Sequence, residues 1–449
     1  MLRYPRIALS VLVLLGCSSD PTPASPPPFD GGGPPGYRID SALPDAAIVM
    51  RRDGSLPPAD YEIDLPYRAG GEYVDVMVTA QSERLDLHLS IDTTSSFGGE
   101  IDTLQRDLLE TLLPSLGLRI ADIWVGVSRF ADFPVPPFGA LPDQAYVLET
   151  PLTSNLDSVA ASVRRLDRPL SEGGDTLEAG YEALWQIATG EGYRESGTQW
   201  IAPYEGDSGT GGVGWREDTL RVVIHATDAP SHFPNDYASF LPGTHGPNDV
   251  IEAFRTRGLY LLGISSDDSA RPQLEQMATG TGAVILPRDS ACPTGISGAP
   301  REPAEGKCPL VFDIGSDGAG LSSSIVDAVF GLVDSLEFAE VYGTHGEDRL
   351  HFIRSIEAIP LDPPPGEAGP ERTDSHPAGD EILDTFQAVG TGTTLVFRVH
   401  LYNEFIEQRV EERLYYLGVR IIGDSHTLLE RTIRVRVPPS SVGGMGSNS

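Results

Sequence analysis

Alternation of apolar and polar residues is the strongest structural pattern in this chain. Residues 85–92 read LDLHLSID, so four aliphatic side chains fall at every second position, which is typical of a β-strand. Similar patterns predict four strands, at Leu85–Asp92, Asp122–Phe130, Leu220–Thr227 and Gly258–Ser265. Apolar residues at helical spacing predict five helices, at Glu100–Leu116, Leu156–Arg165, Leu177–Ala188, Asn248–Thr256 and Ser323–Asp334. This alternation predicts an α/β domain over residues 83–336, with a mostly parallel, doubly wound sheet.

The flanking segments have a different pattern. Short alternating runs separated by turn residues predict an all-β sandwich over residues 337–439. Residues 59–82 also alternate, as two short strands around Gly70-Gly71. A two-stranded piece is marginal by itself, so we expect these strands to complete the sandwich and the α/β domain to be inserted into it. Residues 190–214 and 287–309 are predicted to be surface loops.

The amino-terminal residues indicate export. Arg3 and Arg6 precede an apolar run that is too short to span a bilayer, which is typical of a signal peptide over residues 1–16. The following Leu14-Leu15-Gly16-Cys17 resembles the lipobox of bacterial lipoproteins. The resemblance implies lipidation of Cys17 and a place in the bacterial cell envelope. Ser18, where aspartate signals inner-membrane retention, favours the outer membrane. A plain secretory signal is the alternative.

Composition and cysteine count add three expectations. Residues 17–58 are rich in Pro and Gly and read as a disordered tether, and residues 440–449 as a flexible tail. The net charge of −33 argues against nucleic acid and anionic membrane surfaces as direct partners. We therefore expect the protein to contact the membrane only through its amino-terminal lipid. In an oxidising compartment we expect Cys292 and Cys308 to form a disulfide, the alternative being two buried thiols.

Oxygen-bearing side chains follow the predicted strands. Asp92, Thr94 and Ser96 stand at alternate positions where the first strand ends, and Asp228 follows the third. In parallel sheets, ligands bind at this end of the strands. Oxygen-only ligands suit a hard divalent cation such as Mg²⁺ or Ca²⁺. Asp175 and Glu178 lie in a Gly-rich loop before a helix, from which they can reach the same edge of the sheet.

These motifs resemble the metal-ion-dependent adhesion site of a von Willebrand factor A domain. The closest likeness is to the A-type domain that integrin β subunits insert in a β-sandwich, and it extends to WVGVSRFADFPVPPFG, EGGDTLEAGYEALWQ, WREDTLRVVIHATDAPSH and SSIVDAVFGLV. The resemblance implies a first metal site formed by Asp92, Thr94, Ser96, Glu178 and Asp228. It implies a second metal site formed by Asp132, Asp175 and Glu178.

The chain also departs from the integrin pattern. Gly99 and Glu100 stand where a third, flanking metal site has paired acids, so that site is not expected. The loop between Phe138 and Tyr146 is shorter than the integrin specificity loop and lacks cysteines, so integrin ligand choice should not transfer.

Together these features predict a binding or adhesion lipoprotein. The first site would hold Mg²⁺ or Mn²⁺ and bind an acidic group of a protein or other partner, and the adjacent site would hold Ca²⁺. We expect no enzymatic activity, because no general base stands apart from the coordinating acids. The alternatives are an envelope scaffold whose cation is purely structural and a metal-dependent hydrolase.

Overall fold

The computed structural model describes residues 57–82, 84–167, 169–206, 209–362, 368–424 and 426–440. The predicted signal peptide, Cys17, most of the tether and the tail after residue 440 lie outside the described residues. Within these ranges no helix has both the length and the apolar character needed to cross a membrane.

Two short strands precede the α/β domain. They are β1 (Tyr61–Asp64) and β2 (Glu72–Thr79). The elements of the α/β domain are, in chain order, β3 (Arg84–Asp92), α1 (Gly98–Asp107), α2 (Leu113–Gly117), β4 (Asp122–Phe130), β5 (Val147–Thr153), α3 (Leu156–Val163), α4 (Gly180–Thr189), β6 (Tyr193–Glu195), β7 (Thr198–Ile201), β8 (Leu220–Thr227), α5 (Pro234–Tyr237), α6 (Pro247–Thr256), β9 (Leu259–Ser265), α7 (Arg271–Thr281), β10 (Val284–Ile285), β11 (Cys308–Pro309), β12 (Val311–Asp313) and α8 (Leu321–Ser335).

The central sheet has six strands in the order β12-β9-β8-β3-β4-β5. All neighbours pair in parallel except β4 and β5, which are antiparallel. One apolar cluster includes Leu85 and Leu89 of β3, and a second includes Phe130 of β4 and Val223 of β8. The predicted α/β class is therefore confirmed. The strand order places β3 centrally, so its carboxyl end lies at the middle of the sheet edge.

Several elements differ from their prediction. The expected helix over residues 100–116 is α1 and α2 joined by a π-helical turn at Leu108–Leu112. Pro114 follows this turn, and because proline has no N–H it cannot continue the regular hydrogen bonding of an α-helix. Strands β5 and β12 and helix α7 were not predicted, because their apolar spacing is weak or short.

The segment 190–214 is not the surface loop that its composition predicts. It contains the β6–β7 hairpin and a 3₁₀ turn at Gly211–Val213. Ile201, Val213 and the adjoining Trp215 are buried in the core, and the Trp215 indole N–H donates to the Ile187 carbonyl at 3.2 Å. Large apolar side chains thus recruit this insertion into the domain.

The loop over residues 287–309 contains the expected disulfide. Cys292 and Cys308 are joined, with their Cα atoms 5.4 Å apart, and both are buried. Arg301, between them, forms ion pairs with Asp268 and Asp313. The loop is thereby fastened to the end of β12 by charged contacts as well as by the covalent bond.

The remaining strands form the sandwich. They are β13 (Glu337–His345), β14 (Ile353–Ile359), β15 (Glu371–Thr373), β16 (Thr385–Gly390), β17 (Thr394–Leu401), β18 (Arg413–Gly423) and β19 (His426–Val437). One sheet has the order β1-β19-β18-β13-β16-β15 and the other β14-β17-β2, and a shared apolar core lies between them. Strand β1 pairs in parallel with β19, and β2 pairs antiparallel with β17. The α/β domain is therefore an insertion in an all-β sandwich, as the alternation of residues 59–82 predicted.

Candidate metal centre

Asp92 is the innermost residue of the candidate site. It ends β3 and is completely buried. Its Oδ1 accepts hydrogen bonds from the Thr94 N–H at 2.9 Å and from the Thr94 hydroxyl at 2.7 Å, and its Oδ2 accepts one from the Thr227 hydroxyl at 2.6 Å. The Thr94 and Ser96 hydroxyl oxygens are 3.1 Å apart. The D-x-T-x-S spacing thus brings the carboxylate and both hydroxyls together at the edge of the sheet.

Backbone hydrogen bonds join two further loops to this edge. The Ser95 N–H donates to the Ser171 carbonyl at 2.8 Å, in the loop that leads to Glu178. The Glu178 N–H donates to the Pro230 carbonyl at 3.0 Å, just after Asp228. These contacts explain why α4 begins at Gly180 rather than at the predicted Leu177: the backbone of Glu178 bonds to the neighbouring loop instead.

Gly180 shows how closely these segments approach. A Cβ atom at this position would stand 2.4 Å from the Ser231 hydroxyl and 3.1 Å from Nε2 of His225. Glycine is therefore required for α4 to start against the loop after β8. This start places Glu178 beside the carboxyl ends of β3 and β8.

The first predicted site is brought together as a mixed set of carboxylates and hydroxyls. Asp92, Thr94 and Ser96 are in direct contact, Asp228 is close to Asp92 and Ser96, and Glu178 is close to Asp92. In the described residues, these three carboxylates do not converge within 4.8 Å of one another. Ser96 is exposed and Asp228 half-buried, so solvent reaches one side of the site.

The electrostatics of this site favour a cation. Burial raises the pKa of Asp92 to about 6, and the charge of Asp228 adds to the rise, against hydrogen bonds from Thr227 and Thr94. Burial, and next the charge of Asp92, raises the pKa of Glu178 to about 10. Burial likewise raises the pKa of Asp228. Acidic groups with raised pKa values lack compensating positive charge.

Two buried oxygens of the same site lack hydrogen bonds. Within the described part of the chain, Glu178 Oε2 and Asp228 Oδ1 have no hydrogen-bond partner. An uncompensated buried acceptor is costly, and native proteins rarely leave one without a bound ion or water. The residues present therefore fit a divalent cation with oxygen ligands.

The second predicted site has a different composition from the expected one. Of the described residues, Asp132, Asp175 and His232 form a group whose ligand atoms all lie within 4.8 Å of one another. Glu178 is near enough for Asp132 and Asp175 to raise its pKa, but it is not a member of this group. Burial opposes protonation of His232, yet the hydrogen bond and charge of Asp132 raise its pKa above the ordinary value.

His232 and Glu100 are the residues that sequence reasoning did not place. His232 follows Asp228 by four residues, and that spacing was the only signal for it. Glu100 is completely buried, and neither of its carboxylate oxygens has a well-formed hydrogen bond among the described residues. Burial raises the pKa of Glu100, with a smaller contribution from Asp228. A position dismissed for lacking a paired acid is therefore part of the acidic surroundings of the site.

A row of buried polar side chains precedes Asp92 on β3. Asp86, His88 and Ser90 share its face of the strand and are completely buried. His88 Nε2 lies 2.9 Å from the Ser128 hydroxyl, and Ser90 Oγ lies 3.0 Å from Nδ1 of His225. Burial lowers the pKa of both histidines to about 3, so they are neutral. His225 is therefore a core histidine with a hydrogen-bond partner.

Comparison with known proteins found relatives of part of the chain. Integrin beta-6 of Rattus norvegicus is 26% identical over 223 residues, which cover 45% of this chain and 25% of that protein. Integrin beta-6 of Mus musculus is 25% identical over 212 residues, covering 43% and 24%. The α/β domain is therefore similar to the von Willebrand factor A-type domain of integrin β subunits.

The remaining comparisons set the limits of this assignment. No model of a known protein family matches the chain. A solved structure, a von Willebrand factor type A protein from Catenulispora acidiphila, aligns with 84% of this chain and 72% of its own at 14% identity, with a TM-score of 0.33. The chain spans about a quarter of the length of the integrin relatives. The likeness to the integrins supports a metal-dependent adhesion type of domain in general.

Proposed function

We propose that this protein is a cation-dependent binding module of the bacterial cell envelope, anchored by lipid at Cys17 in the outer membrane. In this proposal Asp92, Thr94, Ser96, Asp228 and Glu178 hold Mg²⁺ or Mn²⁺. The bound cation supplies Lewis acidity towards a carboxylate of a protein or other acidic partner. Binding, rather than catalysis, is the proposed role.

The observation that supports this role most is the uneven exposure of the site. Asp92 and Glu178 are buried and hold the inner side, whereas Ser96 is exposed at the outer side. A cation held from within by buried acids and from the rim by the Ser96 hydroxyl keeps a coordination position accessible to a partner. A purely structural cation, the alternative, would be enclosed by protein ligands.

The charge of the chain is consistent with a bridging cation. With a net charge of −33, the protein repels acidic partners at long range. A divalent ion at the site reverses the sign of the potential locally, so a carboxylate can approach there and not elsewhere. Binding should therefore depend on the cation and on the acidity of the partner.

A pull-down with envelope extracts tests the proposal. We expect the purified protein to retain a partner in Mg²⁺, to release it in EDTA, and to fail to retain it after Asp92→Ala. Asp102→Ala is the matched control, because Asp102 is exposed on α1. Retention that persists in EDTA and in Asp92→Ala, with the fold intact by circular dichroism, would favour the scaffold alternative.

A further inference from the structure

His232 occupies a position that an oxygen-only metal site would not use. Its Nε2 lies 3.2 Å from Asp132 Oδ2 and 3.2 Å from Asp175 Oδ1. A single N–H on Nε2 donates to one of these carboxylates at a time. Two acidic groups therefore converge on one ring nitrogen that cannot satisfy both.

The two carboxylate oxygens of Asp132 differ in their hydrogen bonds. Its Oδ1 accepts hydrogen bonds from the Tyr237 hydroxyl at 2.6 Å and from the Phe133 N–H at 2.5 Å. Its Oδ2 lacks a well-formed hydrogen bond among the described residues, although Asp132 is completely buried. This oxygen faces His232 Nε2 at 3.2 Å without a well-aligned hydrogen bond, so a cation held between the two groups would satisfy it better than the ring N–H does.

The surroundings of this cluster orient the donors. The Phe138 ring packs edge-on against His232, with ring centroids 5.0 Å apart, and Nδ1 of His232 faces Asp236 Oδ2 at 3.5 Å. A carboxylate behind the far nitrogen is the usual support for a metal-bound histidine. Asp175 is exposed, so an ion can reach the cluster from solvent.

The spacing of the donors also fits a small divalent ion. Metal–nitrogen and metal–oxygen bonds of ~2.0–2.2 Å place neighbouring ligand atoms ~3 Å apart. Both nitrogen–oxygen separations in the cluster are 3.2 Å. An ion can therefore enter between the three donors when the ring nitrogen is unprotonated, with little rearrangement of the side chains.

We propose that Asp132, Asp175 and His232 form a second metal site selective for divalent first-row transition ions, such as Mn²⁺ or Zn²⁺, over Ca²⁺. Imidazole nitrogen is a good ligand for transition ions, whereas Ca²⁺ and Mg²⁺ take oxygen. The histidine therefore changes the class of ion from the Ca²⁺ that the family resemblance implies. The first site, with oxygen ligands alone, keeps its preference for a hard cation.

Electron spin-echo spectroscopy of the Mn²⁺-loaded protein tests this assignment. A ring nitrogen bound to Mn²⁺ produces ¹⁴N modulation, and oxygen ligands do not. We expect modulation in the wild type and its loss, with one fewer Mn²⁺ bound per chain, in His232→Asn. His245→Asn is the matched control, because His245 stacks on Trp185 and bonds to Glu182, away from the cluster.

A second variant covers the case in which His232→Asn does not fold. Asp175→Asn changes an exposed ligand and should also lower Mn²⁺ binding by one ion and remove the modulation. Absence of ¹⁴N modulation in the wild type, or its persistence in either variant, would overturn the assignment. Neither result would affect the proposed partner binding, which depends on the oxygen-only site and is measured by retention in Mg²⁺.

Discussion

Replacing Glu178 by glutamine should stabilise the protein when no cation is bound. Glu178 is buried beside Asp92, Asp132 and Asp175, and its pKa of about 10 means that it remains protonated at neutral pH in the folded state. In the unfolded chain this group has its ordinary pKa of 4.5. A pH of about 7.5 is about 3 pH units above this unfolded-state pKa, so ionisation stabilises the unfolded state by about 4 kcal/mol. The folded state, in which Glu178 stays protonated, gains no such stabilisation.

Glu178→Gln removes this penalty, because glutamine does not ionise in either state. In EDTA at about pH 7.5, we expect a free energy of unfolding higher by up to about 4 kcal/mol, which corresponds to a melting temperature raised by about 10 °C for a domain of about 250 residues. In excess Mg²⁺ the difference in free energy of unfolding between Glu178→Gln and the wild type should become smaller or change sign. A ligand at about 100 times its Kd stabilises the wild type by about 3 kcal/mol.

Chemical denaturation and thermal melts, each in EDTA and in Mg²⁺, measure this effect. Glu172→Gln is the matched control, because Glu172 is exposed in the same loop and should behave as the wild type in both conditions. A Glu178→Gln protein that melts at or below the wild-type temperature in EDTA would refute the idea that Glu178 is held among uncompensated acidic groups.

Three further outcomes follow from the same structure. Mg²⁺ or Mn²⁺ at about 100 times its Kd should raise the melting temperature by about 5–10 °C, and the shift should vanish in Asp92→Ala; coincident melts with and without EDTA would contradict a bound cation. This cation-induced rise in melting temperature should be larger at about pH 8 than at about pH 5.5, because protons compete with the cation for Asp92 and Glu178, whose pKa values are about 6 and about 10. Scanning calorimetry at both pH values measures the difference. Replacing Cys292 and Cys308 by serine should lower the free energy of unfolding by about 3 kcal/mol, because the unfolded chain regains the entropy that closing a loop with a sequence separation of 16 removes. Urea denaturation of the double variant measures this loss, and unchanged stability would contradict it.

The sequence predicted the central elements of the fold well. The bounds of β4 and β8 agree with the predicted strands, and β3 and β9 differ from theirs by one residue at the start. Strands of this kind are buried and strongly apolar, so local periodicity is sufficient to find them. Elements whose apolar residues are few, such as β12 and α7, are defined by their packing on the sheet and leave little local signal.

The candidate metal centre divides in the same way. The D-x-T-x-S spacing brings Asp92, Thr94 and Ser96 together through contacts within five residues, so the sequence was sufficient to predict their proximity. Glu178 and Asp228 were also predicted, from their positions in a loop before a helix and after a strand and from the resemblance to a known family. By contrast, the sequence expected Glu178 in the second cluster, whereas the structure places His232 there.

What the sequence determined, therefore, was the alternation of strands and helices, the interruption of the sandwich and the oxygen ligands at the end of β3. What only the tertiary structure decided was the meeting of His232 with Asp132 and Asp175 and the burial of Glu100 beside Asp228. Periodicity and short spacings act along the chain, over a few residues. Burial and electrostatic repulsion act between segments about 40–130 residues apart, and only a folded chain brings them within reach.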